Sequence, residues 1–247
     1  MDDLTRKDIL EKLKIDEHYY GEFGQQFRSN SDISTLLTNP LALGKDIKKS
    51  PALLIGGYFH TAILEPEKLD RFKIVKSTTR NTKAYKEISN GELCLLEHEV
   101  DKITLMKEKL MSNDVCKDLI RGIDVEYEVP GITELQGLWW KGKADILNHT
   151  EKLIVDLKTT SDITKFRSSA FRYNYDSQAY IYQELFGLPL EFYVIDKSTF
   201  QLAIYKPSEE FIQRGKEKVE NAVFIYNTYF SKDSEENINQ FVLHETL

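Results

Sequence analysis

Residues that build stapled or metal-clustered small proteins are scarce in this chain. Its 247 residues include two cysteines, Cys94 and Cys116, too few for a framework of disulfides and wrongly spaced for CxxC metal ligands. No N-terminal apolar stretch resembles a signal peptide, so a cytoplasmic protein without a membrane partner is expected. The six prolines and twelve glycines are dispersed. No Pro/Gly-rich linker, low-complexity tract or internal repeat divides the chain, which predicts one domain over residues 1–247. An excess of basic charge is missing as well. With 33 Lys and Arg against 40 Asp and Glu, the net charge is −7. That balance excludes a surface coated for non-specific nucleic-acid binding, though not a local basic groove.

What is present supports a full hydrophobic core: 41% of the residues are apolar, and the length suits one large domain. Residues 3–14 read as a short helix, followed by a polar, aromatic stretch through Arg28, and residues 1–30 form a candidate N-terminal arm. Ser31 or Asp32 would cap a helix ending before Pro40. Pro51 suits the first turn of the helix ALLIGGYFHTAIL, which stops before Pro66. Residues 97–111 carry apolar positions at helical spacing, and 123–129 alternate like a strand.

LWWKGKADIL and KLIVDLKTT follow, separated by the turn-prone Asn148-His149-Thr150, and together they read as a hairpin. A helix from about Asp176 to Phe186 ends at Gly187. Residues 191–205 read as two strands, and 207–247 as a long helix with an acidic tail. The order of elements implies an α/β fold with a mixed central sheet flanked by helices.

The hairpin carries the chemistry. Period-2 alternation places Asp145 and Asp156 on adjacent strands, with Lys158 on the face of Asp156. Paired strands lie about 4.8 Å apart, so the two carboxylates repel one another unless a cation lies between them. Hard oxygen ligands favour Mg²⁺ or Mn²⁺, ions that bind phosphates alongside one or two carboxylates. Lys158 would then orient or deprotonate an attacking water and steady charge on the phosphate. A lone DxK triplet on a strand is ordinarily a solvated ion pair. Here it stands in an ordered set: GKAD, eleven residues to Asp156, Lys158, then Gln178 and Tyr182 on one face of the next helix. The segment 141–173 is also locally positive, with Lys141, Lys143, Lys152, Lys158, Lys165, Arg167 and Arg172 against four acidic residues.

GKADIL, IVDLKTTSD and YDSQAYIYQELFG, in this order, resemble the GxxD, DxK and QxxxY motifs of the PD-(D/E)xK nuclease superfamily, in particular its RecB-like and RecE-like phage exodeoxyribonucleases. The resemblance runs from about Ser31 to Gly187. It departs at Ala144, where the superfamily name has proline, a position that varies in the group.

The family implies a restriction-endonuclease-like core and a metal held by His60, Asp145, Asp156 and the backbone carbonyl of Leu157. Lys158 would stand beside the scissile phosphate, and Gln178 and Tyr182 would line the site. Glu126 or Glu128 is a candidate additional acidic ligand, and alternation does not choose between them. TRNTKAYKEI is similar to a basic segment of RecE-like proteins and makes Arg80 and Lys83 candidate DNA contacts. Trp139 and Trp140, adjacent on a strand, should point to opposite faces.

The implied activity is Mg²⁺-dependent digestion of linear double-stranded DNA, 5′ to 3′, leaving 3′ single strands for a single-strand annealing recombinase in a bacterial host. A ring-shaped homo-oligomer is a further implication. Two alternatives remain beside it. One is a Cas4-like or helicase-associated nuclease of different polarity, although two cysteines cannot supply the four thiolates of an iron–sulfur cluster. The other is a nuclease-like DNA-binding module without turnover.

Overall fold

The computed structural model describes residues 4–45, 49–232, 234 and 236–242. Three short helices open the chain, α1 (Arg6–Leu13), α2 (Asp16–Tyr20) and α3 (Glu22–Gln25), and α4 (Asn30–Thr38) and α5 (Pro51–Leu64) follow. A two-residue strand β1 (Ile74–Val75), helix α6 (Lys83–Ser89) and strand β2 (Leu95–Leu96) precede α7 (Glu97–Met111) and α8 (Asp114–Arg121). Then come β3 (Val125–Leu135), β4 (Leu138–Asn148) and β5 (Leu153–Thr160), α9 (Phe166–Arg172) and α10 (Tyr175–Phe186), β6 (Leu190–Asp196), β7 (Leu202–Tyr205) and α11 (Glu209–Tyr229).

The central sheet has the order β3-β4-β5-β6-β7. It is antiparallel except between β5 and β6, which run parallel. A parallel neighbour requires a crossover connection, and α9 and α10 supply it. One face of the sheet, with Ile146, Val155, Leu157 and Tyr193, packs under α5, α7 and α8. The other, with Ala144, Ile154, Phe192 and Val194, packs against α9 and α10. Helix α11 lies on α10 through Val219, Ala222 and Val223. The fold is a mixed α/β sandwich of restriction-endonuclease type, as expected.

Boundaries follow local chemistry. Ser50 caps α5 by accepting from Leu53 N–H, with Pro51 in the first turn, where its missing N–H costs nothing. Gly187 ends α10 in the left-handed region at φ 68, the usual glycine stop. Helix α4 is capped by Ser29 rather than by Ser31 or Asp32. Asp32 is instead the reciprocal partner of that cap, its carboxylate accepting from Ser29 N–H at 2.7 Å.

The segment read as an arm is a packed part of the fold. Leu13 and Phe27 are buried with Ile132 of β3, Arg28 N–H donates to the Trp139 carbonyl, and Lys141 N–H donates to the Arg28 carbonyl. Trp140 is fully buried while Trp139 is half-exposed, as opposite faces require. The acidic tail falls partly outside the described residues.

Candidate active site

Strands β4 and β5 pair only through Ile146–Asn148 and Leu153–Val155. Beyond that point they splay, and the carboxylates sit where the ladder stops. Asp145 Oδ2 takes over one vacated ladder bond by accepting from Leu157 N–H at 2.8 Å. Past it, β4 continues on β3 and β5 on β6, so a cleft of about 1020 Å³ opens between them. His60, Glu128, Lys143, Asp145, Leu157, Lys158, Gln178 and Tyr182 are among its lining residues.

Helix α5 brings His60 Nδ1 to 3.3 Å from Asp145 Oδ2. Burial pulls the imidazole down, but the Asp145 charge and hydrogen bond outweigh it and hold the His60 pKa above its usual value. For Asp145, burial pushes the carboxyl up, while His60, Lys158 and the Leu157 N–H together hold it below the carboxylate range. Asp156 goes the other way. Burial pushes it up to about 6, Lys158 pulls it back and Asp145 adds to the rise.

Lys158 Nζ lies 2.5 Å from Asp156 Oδ2, and Gln178 Nε2 donates to Oδ1 at 2.5 Å. Burial alone would lower the lysine, but Asp156 holds it above its usual pKa. It is therefore a cation at neutral pH, suited to stabilise charge rather than to take a proton.

Glu128, not Glu126, joins the centre. In the register Tyr127↔Ile146 and Val129↔Ala144, Glu128 sits between in the left-handed region at φ 51. Its carboxylate, His60 and Asp145 offer ligand atoms within 4.8 Å of one another. Burial and the Asp145 charge raise Glu128 to about 7. Glu126 points elsewhere: it is mostly exposed and pairs with His149 at 2.6 Å.

A hard divalent ion fits this donor set. One nitrogen and two carboxylates converge, and Asp156 Oδ2 is buried without a hydrogen-bond donor of suitable geometry despite the nearby lysine charge. A buried carboxylate oxygen is normally satisfied; this one meets the Lys158 ammonium, and the group whose ligand atoms converge is His60, Glu128 and Asp145.

Tyr182 brackets the strand from the crossover helix. Its hydroxyl donates to the Lys143 carbonyl at 3.0 Å and accepts from the Lys143 N–H at 3.4 Å. Gly142 makes that approach feasible, since a Cβ there would lie 2.5 Å from Leu185 Cδ1 and 2.8 Å from Tyr182 Cε2.

Arg80 and Lys83 are not brought to the cleft. Arg80 is spent on a bidentate ion pair with Glu99, at 2.8 and 2.6 Å, and Lys83 is a solvated lysine 3.7 Å from Glu87. Unforeseen from the sequence is the wall made by the N-terminal segment. Lys143 Nζ meets Asp16 at 2.8 Å, and Lys141 donates to the Tyr19 carbonyl with its ammonium 4.3 Å from the Tyr19 ring centroid. The alternation of Lys141, Lys143 and Asp145 on one strand face was the available signal.

Residues 37–237 match the family model described as "PDDEXK-like domain of unknown function (DUF3799)". The chain belongs to that family. The PDDEXK-like chain is therefore built on the fold of the PD-(D/E)xK nucleases, a superfamily whose members generally depend on divalent metal. Among solved structures, a proposed exonuclease from Eubacterium rectale is similar over 94% of this chain and 95% of its own, at 19% identity and a TM-score of 0.63, which establishes a shared fold. A phage-related exonuclease from Haemophilus somnus 129PT aligns over 62% of this chain and 88% of its own, at 17% identity and a TM-score of 0.33, too distant to carry an argument. No curated protein matches the chain. None of the helices among the described residues is long and apolar enough to cross a membrane.

Proposed function

We propose that the chain is a Mg²⁺-dependent exodeoxyribonuclease, with Mn²⁺ as a substitute, that hydrolyses phosphodiester bonds at the ends of linear double-stranded DNA. The observation that carries this reading is the splayed β4–β5 pair, which sets Asp145, Glu128 and His60 on one side and Asp156 with Lys158 on the other. His60, Asp145 and Glu128 would hold the ion, with Asp156 and the Leu157 carbonyl closing the set. When bound, the ion supplies Lewis acidity to the phosphate and lowers the pKa of water.

The remaining work falls to the chain itself. Lys158, charged and fixed against Asp156, meets the developing negative charge. Gln178 fixes the Asp156 carboxylate, and Tyr182 holds β4 at the distance the cleft needs. The intact Asp145, Asp156 and Lys158 set favours turnover over a silent binding module. Digestion running 5′ to 3′, a 3′ strand handed to an annealing recombinase, a ring-shaped homo-oligomer and a place in the bacterial cytoplasm complete the proposal and rest on the RecE-like resemblance alone.

The test is digestion of end-labelled linear duplex with and without Mg²⁺, beside a covalently closed circle. Loss of label from the 5′ ends of linear DNA only, abolished by chelator and by Asp156→Asn in a variant that melts like wild type, is the expected result. Cleavage undiminished in excess chelator, or by Asp156→Asn, defeats the assignment.

A further inference from the structure

Two tyrosines flank the candidate centre with their rings largely uncovered. Tyr20 is 68% exposed and Tyr173 56%, and both line the cleft that holds His60, Asp145 and Lys158. Tyr20 stands on the β4 side: its ring centroid is 5.6 Å from Lys143 Nζ and 4.9 Å, edge to face, from the Tyr19 ring. Tyr173 stands on the β5 side, 6.1 Å from the Tyr175 ring, which lies 4.7 Å from Lys158 Nζ.

The turn that presents Tyr173 is held on several sides. Asn174 is left-handed at φ 56, a conformation that persists in a non-glycine residue when its surroundings fix it. Its carbonyl accepts from Asn30 Nδ2 at 3.1 Å and Ser177 Oγ at 3.0 Å, and its side chain accepts from Lys218 Nζ at 2.8 Å. The same cleft contains Arg28 and Lys141. Each donates to a backbone carbonyl, of Gln25 and Tyr19 respectively, and neither forms an ion pair with a carboxylate among the described residues.

Each exposed ring has a cation near one face, Lys143 at Tyr20 and Arg172 at Tyr173, so two aromatic platforms and basic side chains line one cleft, which suits a ligand with π faces and negative charge. Single-stranded DNA has both. A duplex has the charge but few π faces to spare, because its bases are already stacked on one another. Base stacking on aromatic side chains tolerates any sequence, as a general nuclease requires.

We propose that Tyr20 and Tyr173 form an unpaired-base subsite on either side of the catalytic centre, so that one strand of a DNA end enters the cleft already separated from its complement. This rests on the nuclease reading above.

The experiment uses the full chain with Ca²⁺ to favour binding over turnover, and oligonucleotides carrying 2-aminopurine at the terminal positions of a single strand or of a duplex end. Wild type should change the emission by stacking. Tyr20→Ala and Tyr173→Ala should each weaken single-strand binding by about tenfold, while the phenylalanine variants retain it. An abasic sugar at a stacked position should weaken wild type by a similar factor and add nothing in the alanine variant of the tyrosine that meets that position. Alanine variants that bind as wild type does, or abasic penalties at every terminal position that persist in both variants, would overturn the subsite. Mg²⁺-dependent cleavage by the same wild-type preparation separates the two readings. If it cleaves while the alanine variants bind normally, only the subsite falls; if it neither binds nor cleaves DNA, the nuclease assignment falls and the subsite with it.

Discussion

Lys158 touches Asp156 at 2.5 Å, whereas His60 touches Asp145 at 3.3 Å, so substituting each removes a different function. Lys158→Ala leaves every carboxylate in place, and ion binding should persist while turnover falls by about 10²–10³-fold, the loss typical of a preorganised electrostatic donor. His60→Ala should instead weaken Mn²⁺ affinity and be partly rescued by raising the ion concentration, since mass action refills a weakened site. Calorimetric Mn²⁺ titration of both variants, run beside cleavage assays, separates the roles. If His60→Ala binds the ion as tightly as wild type, the histidine serves packing alone. The order of Asp145, Asp156, Lys158, Gln178 and Tyr182 was legible in the sequence because strand alternation and an i,i+4 helix face are local patterns. Glu128 was not, since strict alternation puts it on the same face as Glu126, and only the left-handed backbone at 128 parts them. Nor could local pattern show that Arg80 is claimed by Glu99, nineteen residues away.

Among the elements, the hairpin, α7 and α10 were visible, since each has a clear period, and α10 also ends at a glycine. Helix α1 lies within the short helix read over residues 3–14, but α2 and α3, of five and four residues, are too short to show a period. Their place is decided by tertiary contacts, such as Lys143 with Asp16, across 127 positions. The splaying of β4 from β5 was equally hidden, because no local period marks where a ladder ends, and α10 presses Leu185 and Tyr182 close to Gly142 of the splayed part. Glycines test that pressure. Gly142→Ala drives a methyl into Leu185 and Tyr182, so α10 must move outward and carry Gln178 away from Asp156. Overpacking of this kind costs about 1–3 kcal/mol, and we expect both a lower melting temperature and slower cleavage. Gly56→Ala and Gly57→Ala meet nothing within 4 Å and should stabilise α5 by about 0.5–1 kcal/mol each. A Gly142→Ala protein as stable and active as wild type would show that the bracket does not position the site.

For the whole molecule, the site sets how stability responds to pH. Asp156 titrates near 6 and Glu128 near 7 in the folded chain, whereas their unfolded values are close to ~4. Between these limits the folded state holds more protons than the unfolded one, so stability contributed by the two groups is complete below about pH 4 and is lost as pH rises through about 6 to 7. His60, raised as well, acts in the same direction: its contribution is present below its unfolded value and is lost as pH rises. Asp145, held low, has the opposite sign, and its contribution is lost only as pH falls through its folded value, beneath this window. Ion-free protein should therefore melt at a lower temperature near pH 7.5 than near pH 5. Excess Mn²⁺ reverses the trend, because the ion competes with protons for the same oxygens and binds only the deprotonated site. Its stabilising shift should grow steadily over that interval. Scanning calorimetry of wild type and of an Asp156→Asn, Glu128→Gln double variant, each with and without Mn²⁺, measures both effects. The double variant should show a flatter ion-free profile and little response to the ion; an unchanged slope would place the titrating groups elsewhere in the fold.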